Sequence, residues 1–123
     1  TGCIAEVWAA CRLAAGAPLP PALPVLVETA DALVVDALAP GMLGGTGRAL
    51  DWGAIAPQLA PVRGRRPLVL AGGLRPDNVA RAVAELQPDI VDVSSGVESH
   101  PGEKDHDAMS RFAAALAQPI VAV

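Results

Sequence analysis

Aromatic residues are scarce in this sequence: they make up 2% of its 123 residues, and tyrosine is absent. No apolar run approaches the roughly 18 residues that a membrane-spanning helix needs, although hydrophobic residues make up 52% of the chain. We therefore expect a soluble globular protein without a membrane partner. A chain of this length is enough for one modest domain with one core, and residues 1–123 are predicted to form a single domain.

The sequence also lacks an excess of basic residues. Its formal net charge of -4 offers no positive surface to a phosphodiester backbone, so we predict small-molecule partners and no nucleic acid. The first residues, TGCIAEVWAAC, have no basic segment ahead of an apolar one and are not expected to be a secretory signal. Cys3 and Cys11 have no metal-ligand spacing. A disulfide between them stays open, although the cytosol-like sequence favours reduced thiols, a cytoplasmic location and no bound metal.

Short apolar runs bounded by turn residues alternate with amphipathic stretches along the chain. Runs of this length are typical of buried strands. Four strands are predicted, over residues 6–13, 32–37, 66–73 and 89–95. The intervals between them are long enough to hold crossover helices.

The strongest helical pattern follows the third predicted strand, over residues 75–87. Pro76 suits the start of a helix, and Asp77 is predicted to add negative charge to its first turn. Its apolar residues recur at helical spacing. They are Val79, Ala82, Val83 and Leu86.

Three further helices are predicted with different strength. Residues 104–117 have Asp105 near the start and an apolar face. That face comprises Met109, Phe112, Ala113 and Leu116. Residues 51–60 have Asp51 as an N-cap candidate, but an internal glycine and proline make this helix short or kinked. The stretch near residues 21–31 is the least regular, because prolines restrict where a helix can begin.

The repeated alternation of strand and helix predicts a parallel sheet covered by helices. Four such units do not close a barrel. They are either half of one or a small open α/β sheet with helices on both faces. Composition alone leaves both architectures open.

Polar and flexible residues follow the C-terminal ends of the predicted strands, where parallel α/β folds bind ligands. Asp36 ends the second run, and Gly72 and Gly73 end the third. Ser94, Ser95 and Gly96 end the fourth. Glycines allow backbone N–H groups to approach an anion, and hydroxyl groups add donors. Because the last two strands both end this way, we predict a phosphate site built from their two loops.

Three motifs, LGGTGRALDW, LAGGLRPDNV and DVSSGVESHPGEKDH, resemble in order and spacing the C-terminal half of phosphoribosylanthranilate isomerase, an eight-stranded (β/α) barrel. The resemblance implies that the four strands here match the fifth to eighth strands of that barrel. A complete barrel usually takes about 200 residues or more. The chain is therefore expected to be a fragment or one half of a split protein.

The resemblance also implies a function, an Amadori rearrangement of N-(5-phosphoribosyl)anthranilate without a cofactor. Asp36 matches the family's general acid, and Gly72, Gly73, Ser94, Ser95 and Gly96 match its phosphate site. Gly45 lies in a loop that resembles the family's mobile loop and is a substrate-contact candidate. The family's base is a cysteine in a KICG-like stretch of the N-terminal half, and the family's arginine for anionic groups also comes from that half; this sequence has no such stretch.

Several interpretations stay open at this point. Asp92 alternates with two valines and is predicted to face either the substrate or the barrel interior, as a structural carboxylate. The whole chain is an isomerase half, a non-catalytic phosphate-binding half-barrel, or an unrelated open α/β regulatory domain. A half-barrel has open sheet edges, so we predict a homo-oligomer or a complementing N-terminal half as its partner.

Overall fold

The computed structural model of the chain describes residues 5–13, 20–36 and 52–117. Its first sheet has four strands: β1 (Trp8–Arg12), β2 (Ala32–Asp36), β3 (Leu68–Ala71) and β4 (Ile90–Val91). Four α-helices accompany them: α1 (Leu23–Thr29), α2 (Trp52–Ile55), α3 (Val79–Leu86) and α4 (His106–Ala117). Two 3-10 turns cover Ala56–Leu59 and Ser95–Val97, and a small hairpin pairs β5 (Glu98–His100) with β6 (Glu103–Lys104).

The four strands of the first sheet are parallel and lie in the order β1-β2-β3-β4, so each pairs with the next along the chain. All four predicted strands are confirmed. The prediction over residues 89–95 was too long, because β4 pairs with β3 only through Ile90 and Val91. The chain leaves the sheet after the Asp92 N–H donates to the Leu70 carbonyl at 2.8 Å.

All four helices cover the same face of this sheet. On that face, Leu33 and Val35 of β2 lie in register with Leu68 and Leu70 of β3, and all four belong to one buried cluster. The helices contribute Leu23, Val27, Trp52, Ile55, Val79, Ala82, Leu86, Ala108 and Phe112 to it. An open doubly wound sheet has helices on both faces, whereas sequential strands with one helix layer are the arrangement of a barrel. The described residues therefore form part of a (β/α) barrel.

The opposite face of the sheet carries exposed apolar side chains. Trp8 of β1 is 46% exposed and Ile90 of β4 is 41% exposed. Within the described residues these strands are the two edges of the sheet. In a closed barrel this face is a packed interior. Exposed apolar groups at both edges are what a half-barrel is expected to show.

The start of α3 differs from the prediction. The helix begins at Val79, after Asn78, so placing Asp77 in its first turn was wrong. The reason is a turn over residues 75–78, in which the Asn78 Oδ1 accepts the Arg75 N–H at 2.7 Å. The Asp77 carboxylate instead lies 3.1 Å from Arg75 Nε. The apolar pattern is confirmed, since Val79, Ala82 and Leu86 are buried.

The starts of α2 and α4 agree more closely with the predictions. The Asp105 carboxylate accepts the N–H groups of Asp107 and Ala108 at 2.9 and 3.2 Å, which confirms its place at the start of α4. The short helix predicted over residues 51–60 is also confirmed, because α2 ends at Ile55 and passes into a 3-10 turn. Asp51 lies outside the described residues. Among the residues that the structure describes, no helix is long and apolar enough to cross a membrane.

The apolar face predicted for α4 is only partly buried. Phe112 is buried, but Met109 is 47% and Leu116 38% exposed, and Ala113 is exposed as well. The buried stripe runs through Ala108 and Phe112, which are four residues apart. Because α4 packs against α3 and the 3-10 turn before the hairpin, that narrow contact leaves the rest of the apolar face uncovered.

Candidate functional site

Two charged side chains meet at the C-terminal edge of the sheet. Asp36, the last residue of β2, lies in register with Arg12 of β1 and Ala71 of β3. Arg12 Nη2 is 3.5 Å from Asp36 Oδ2, and the Asp36 side chain is 32% exposed. The register places both on the face that the helices do not cover. Arg12 was not predicted from the sequence, because only the pairing of β1 with β2 reveals its neighbour.

The loop after β3 begins with two glycines in left-handed backbone conformations. The φ angle is 90° at Gly72 and 72° at Gly73, a region that costs other residues about 1–2 kcal/mol. Asn78 holds the loop, since its Nδ2 donates to the Gly73 carbonyl at 2.9 Å. The turn itself therefore requires these glycines, independently of any anion.

The loop after β4 contacts the loop after β3 through Gly96. A Cβ atom on Gly96 would lie 1.8 Å from the Leu74 carbonyl oxygen and 3.2 Å from Arg75 Cγ. Only a residue without a side chain permits this backbone contact. The two loops that the sequence predicted as one site are thus in direct contact.

A cavity of about 250 Å³ lies where the two loops meet. It is lined by Gly73, Leu74, Arg75, Ser95 and Gly96. This volume is below the roughly 300–1,000 Å³ of pockets that enclose a whole drug-sized ligand, so it suits one group of a larger molecule. The structure therefore brings three of the predicted phosphate-site residues together around one space and adds Arg75, which the sequence analysis missed.

Ser94 has a different position from its neighbour Ser95. Its carbonyl oxygen accepts the Val97 N–H at 3.3 Å and Lys104 Nζ at 3.0 Å, and its hydroxyl lies 3.5 Å from the same Nζ. In a trans peptide the following N–H points opposite to the carbonyl. The Ser95 N–H is therefore turned away from Lys104.

The β5-β6 hairpin carries this lysine and was not predicted. Glu98, whose side chain is only 14% exposed, pairs with Lys104 at 3.3 Å and accepts the Gly102 N–H at 3.1 Å. Through Lys104, the hairpin thus holds the loop after β4 at Ser94. The adjacent Pro101 and Gly102 are a turn signal that could have revealed it.

Of the two predicted substrate-contact residues, only Asp92 is among the described residues. Asp92 is exposed, beyond the end of β4. Gly45 lies outside the described residues. In the part of the chain that the structure describes, no cluster of His, Cys, Asp and Glu side chains could hold a metal ion.

At the N-terminal ends of the strands, two further aspartates bond only to the backbone of a neighbouring chain segment in the contacts that follow. The Asp31 carboxylate accepts the Val7 N–H at 2.7 Å, while its own N–H donates to the Val7 carbonyl. Asp89 makes the same two contacts with Leu68, at 2.8 and 2.9 Å. These pairs tie neighbouring strands together at their N-terminal ends, the stability face of a barrel.

Cys11 lies on the helix-covered face of β1 and is 8% exposed. It is a free thiol, and burial raises its pKa by penalising the thiolate. A buried, neutral thiol on this face is unsuited to act as a base at the C-terminal edge of the sheet. Cys11 is instead a small buried residue of the core cluster.

We expect this burial to make stability depend on alkaline pH. Because the folded pKa of Cys11 lies above its unfolded value of about 8.5, the contribution of the neutral thiol is complete below that value. It is lost as the pH rises through the folded pKa. Urea unfolding of the chain and of Cys11→Ala between about pH 7 and 10 should therefore show a steeper loss of stability in the unsubstituted protein. Parallel profiles would contradict the assignment.

The family model of N-(5'phosphoribosyl)anthranilate (PRA) isomerase matches residues 25–115. The N-(5'-phosphoribosyl)anthranilate isomerase of Acidithiobacillus ferrooxidans is 48% identical over 103 residues, which are 84% of this chain and 47% of that protein. The chain thus spans about half the length of such relatives.

Solved structures agree with this match. Phosphoribosyl anthranilate isomerase from Thermotoga maritima superimposes with a TM-score of 0.68 and 36% identity, covering 89% of this chain and 50% of that one. Another isomerase, solved in complex with reduced 1-(o-carboxyphenylamino)-1-deoxyribulose 5-phosphate, gives a TM-score of 0.53 and 35% identity over 82% of this chain and 45% of that one. The resemblance indicated by the three sequence motifs is confirmed.

Proposed function

Because this chain belongs to the N-(5'-phosphoribosyl)anthranilate isomerase family, we propose that it supplies the C-terminal half of an isomerase barrel. The reaction rearranges N-(5-phosphoribosyl)anthranilate to 1-(2-carboxyphenylamino)-1-deoxyribulose 5-phosphate, a step of tryptophan biosynthesis. The observation that carries the proposal is the position of Asp36 and of the two-loop cavity at the C-terminal ends of neighbouring strands. A phosphorylated sugar needs an acid at one end and an anion site at the other.

Asp36 is the proposed general acid. It donates a proton to the furanose ring oxygen as the bond from C1 to that oxygen breaks, and the nitrogen lone pair forms the C=N bond of the open chain. A base then removes the proton from C2, and the resulting enol-amine tautomerises to the ketone. The resemblance implies that a cysteine of the N-terminal half is this base.

The phosphate group of the substrate binds in the cavity in this proposal. Gly73, Ser95 and Gly96 border it, and backbone N–H groups of such loops bind anions well. Gly72 supplies the left-handed turn, while Ser94 anchors its loop on Lys104. The solved relative holding a phosphorylated compound supports a ligand of this class.

A complementing N-terminal half is the proposed partner, with a second copy of this chain as the alternative. The face with Trp8 and Ile90 supports this, because closing the barrel would cover both side chains. The exposed Met109 and Leu116 of α4 would also gain cover from a further helix. A single domain over residues 1–123, a cytoplasmic location and the absence of nucleic-acid partners stay predictions.

We expect Trp8 to report the closing of the barrel. In a Trp52→Phe background, adding the N-terminal half of the Acidithiobacillus ferrooxidans relative should shift Trp8 emission to shorter wavelength, because the indole leaves water. Sedimentation of the chain alone and of the mixture separates this partner from self-association. Unchanged emission with a stable complex would show that the partner docks elsewhere.

The same mixture tests the activity. Isomerisation removes the fluorescence of N-(5-phosphoribosyl)anthranilate, so its decay measures turnover directly. The proposal predicts decay with both halves present and none with either half alone. A stable mixed barrel that leaves the fluorescence unchanged would overturn the assigned reaction.

A further inference from the structure

Arg75 is the charged residue at the cavity between the two loops. Of the five residues that line this cavity in the described part of the chain, it alone is charged. Its Cγ lies 3.2 Å from the point that a Cβ on Gly96 would occupy. The arginine stem therefore runs along the loop after β4, although the residue belongs to the loop after β3.

The backbone of Arg75 is held firmly in place. Its N–H donates to Asn78 Oδ1 at 2.7 Å, and its carbonyl accepts the N–H groups of Asn78 and Val79 at 3.1 and 3.0 Å. The side chain consequently starts from a fixed point beside Gly73, whose carbonyl Asn78 also holds. Such preorganisation lowers the cost of ordering an arginine around a ligand.

Asp77 competes with any anion for this guanidinium. Asp77 Oδ1 lies 3.1 Å from Arg75 Nε, and the two side chains are 74% and 48% exposed. Exposed pairs of this kind are weak, whereas a guanidinium binds a phosphate through two parallel, charge-assisted hydrogen bonds. A phosphate dianion in the cavity would therefore draw Arg75 away from Asp77.

We propose that Arg75 is a phosphate-binding residue, which leaves Asp77 and pairs with the phosphate dianion of the substrate, and that Asp77 weakens phosphate binding at this site. The proposal rests on the function proposed above, because it assumes that the cavity receives the phosphate. It goes beyond a site made of backbone N–H groups, since it makes phosphate binding depend on the charge of Arg75 and on the neighbouring Asp77.

Substitutions of the two residues should act in opposite directions. We expect Arg75→Gln to raise the dissociation constant of inorganic phosphate about tenfold or more, and Arg75→Lys to restore part of the loss. Asp77→Asn should tighten binding by about two- to fivefold. If Arg75 and Asp77 merely stabilised the turn, Arg75→Gln and Asp77→Asn would both weaken phosphate binding. Binding is measured by calorimetry on the 123-residue chain, with circular dichroism as the check of folding.

The chain offers a matched control pair on α4. Arg111 Nε lies 3.0 Å from Asp107 Oδ2, and these side chains are also exposed, but neither lines the cavity. Arg111→Gln and Asp107→Asn make the same charge changes and should leave phosphate binding within about twofold of the unsubstituted chain.

The outcomes separate the two proposals. If the unsubstituted chain binds phosphate and Arg75→Gln binds equally well, or if Asp77→Asn weakens binding, the role of Arg75 is overturned while the phosphate site stands. If the folded, unsubstituted chain binds neither inorganic phosphate nor ribose 5-phosphate, the phosphate site and the role of Arg75 are both overturned. Equal losses in the α4 variants would show a general charge effect and would also overturn the proposal.

Discussion

Gly96→Ala is expected to weaken phosphate binding about ten- to hundredfold, the effect of losing one hydrogen bond to a charged group. The added methyl carbon would lie 1.8 Å from the Leu74 carbonyl oxygen. That neighbour is backbone and cannot rotate away as a flexible side chain would. The loops after β3 and β4 must therefore separate, and the cavity that both of them line must open.

This separation can be distinguished from ordinary glycine strain. Gly64 and Gly102 have φ angles of 78° and 82°, with nothing within 4 Å of an added Cβ. Gly64→Ala and Gly102→Ala should therefore cost about 1–2 kcal/mol of stability through backbone strain alone, whereas the φ angle of Gly96 lies outside this region. The three alanine variants thus compare a steric effect with a conformational one.

Calorimetric titration with ribose 5-phosphate measures the effect on binding, and urea unfolding measures the effect on stability. We expect Gly64→Ala to bind like the unsubstituted chain despite its lower stability. Unimpaired binding by Gly96→Ala would show that the contact between the loops is not needed, and the site would have to be placed elsewhere. Gly102→Ala tests whether the hairpin behind Ser94 transmits strain to the site.

The sheet could be predicted well from the sequence because short, nearly continuous apolar runs are compatible with few structures other than buried strands. The core positions of β2 and β3 are nearly continuous in leucine and valine, which is typical of parallel strands buried on both faces. The apolar spacing of α3 was equally informative, because Val79, Ala82 and Leu86 are all buried. Periodicity predicts a helix correctly when its apolar positions are also the ones that become buried in the fold.

The errors came from local hydrogen bonding and from tertiary packing, neither of which periodicity reports. Asp77 looked like a first-turn acid, but Asn78 folds the preceding residues into a turn, which delays the helix to Val79. The outward positions of Met109 and Leu116 depend on what α4 packs against, which its own spacing does not determine.

Within the candidate site, the glycines and serines were visible in the sequence as strand ends with donors and little bulk. The two arginines near them were not. Arg12 is near Asp36 only through the register of β1 and β2, and Arg75 reaches the cavity only because Gly96 admits close approach of the two loops. Side chains brought together by non-local pairing need the fold before they can be assigned.

Asp36→Asn is expected to lower kcat of the completed barrel by about 10²–10⁴-fold, the usual contribution of a positioned acid. Asparagine keeps the shape of the side chain at the end of β2 but has no acidic proton to transfer to the ring oxygen. KM should change little, because the phosphate binds at the neighbouring loops in this proposal. Turnover is measured as the decay of N-(5-phosphoribosyl)anthranilate fluorescence.

Asp89→Asn is the matched control, because it makes the same chemical change at the opposite edge of the sheet. Asp89 holds the Leu68 N–H at 2.8 Å, so this variant should lose some stability, of the order of about 1 kcal/mol, and keep its kcat. If both variants lost activity in proportion to stability, Asp36 would be a strand-end hydrogen-bonding group and not an acid. A loss of kcat confined to Asp36→Asn, with unfolding unchanged, is the result expected of a proton donor at this position.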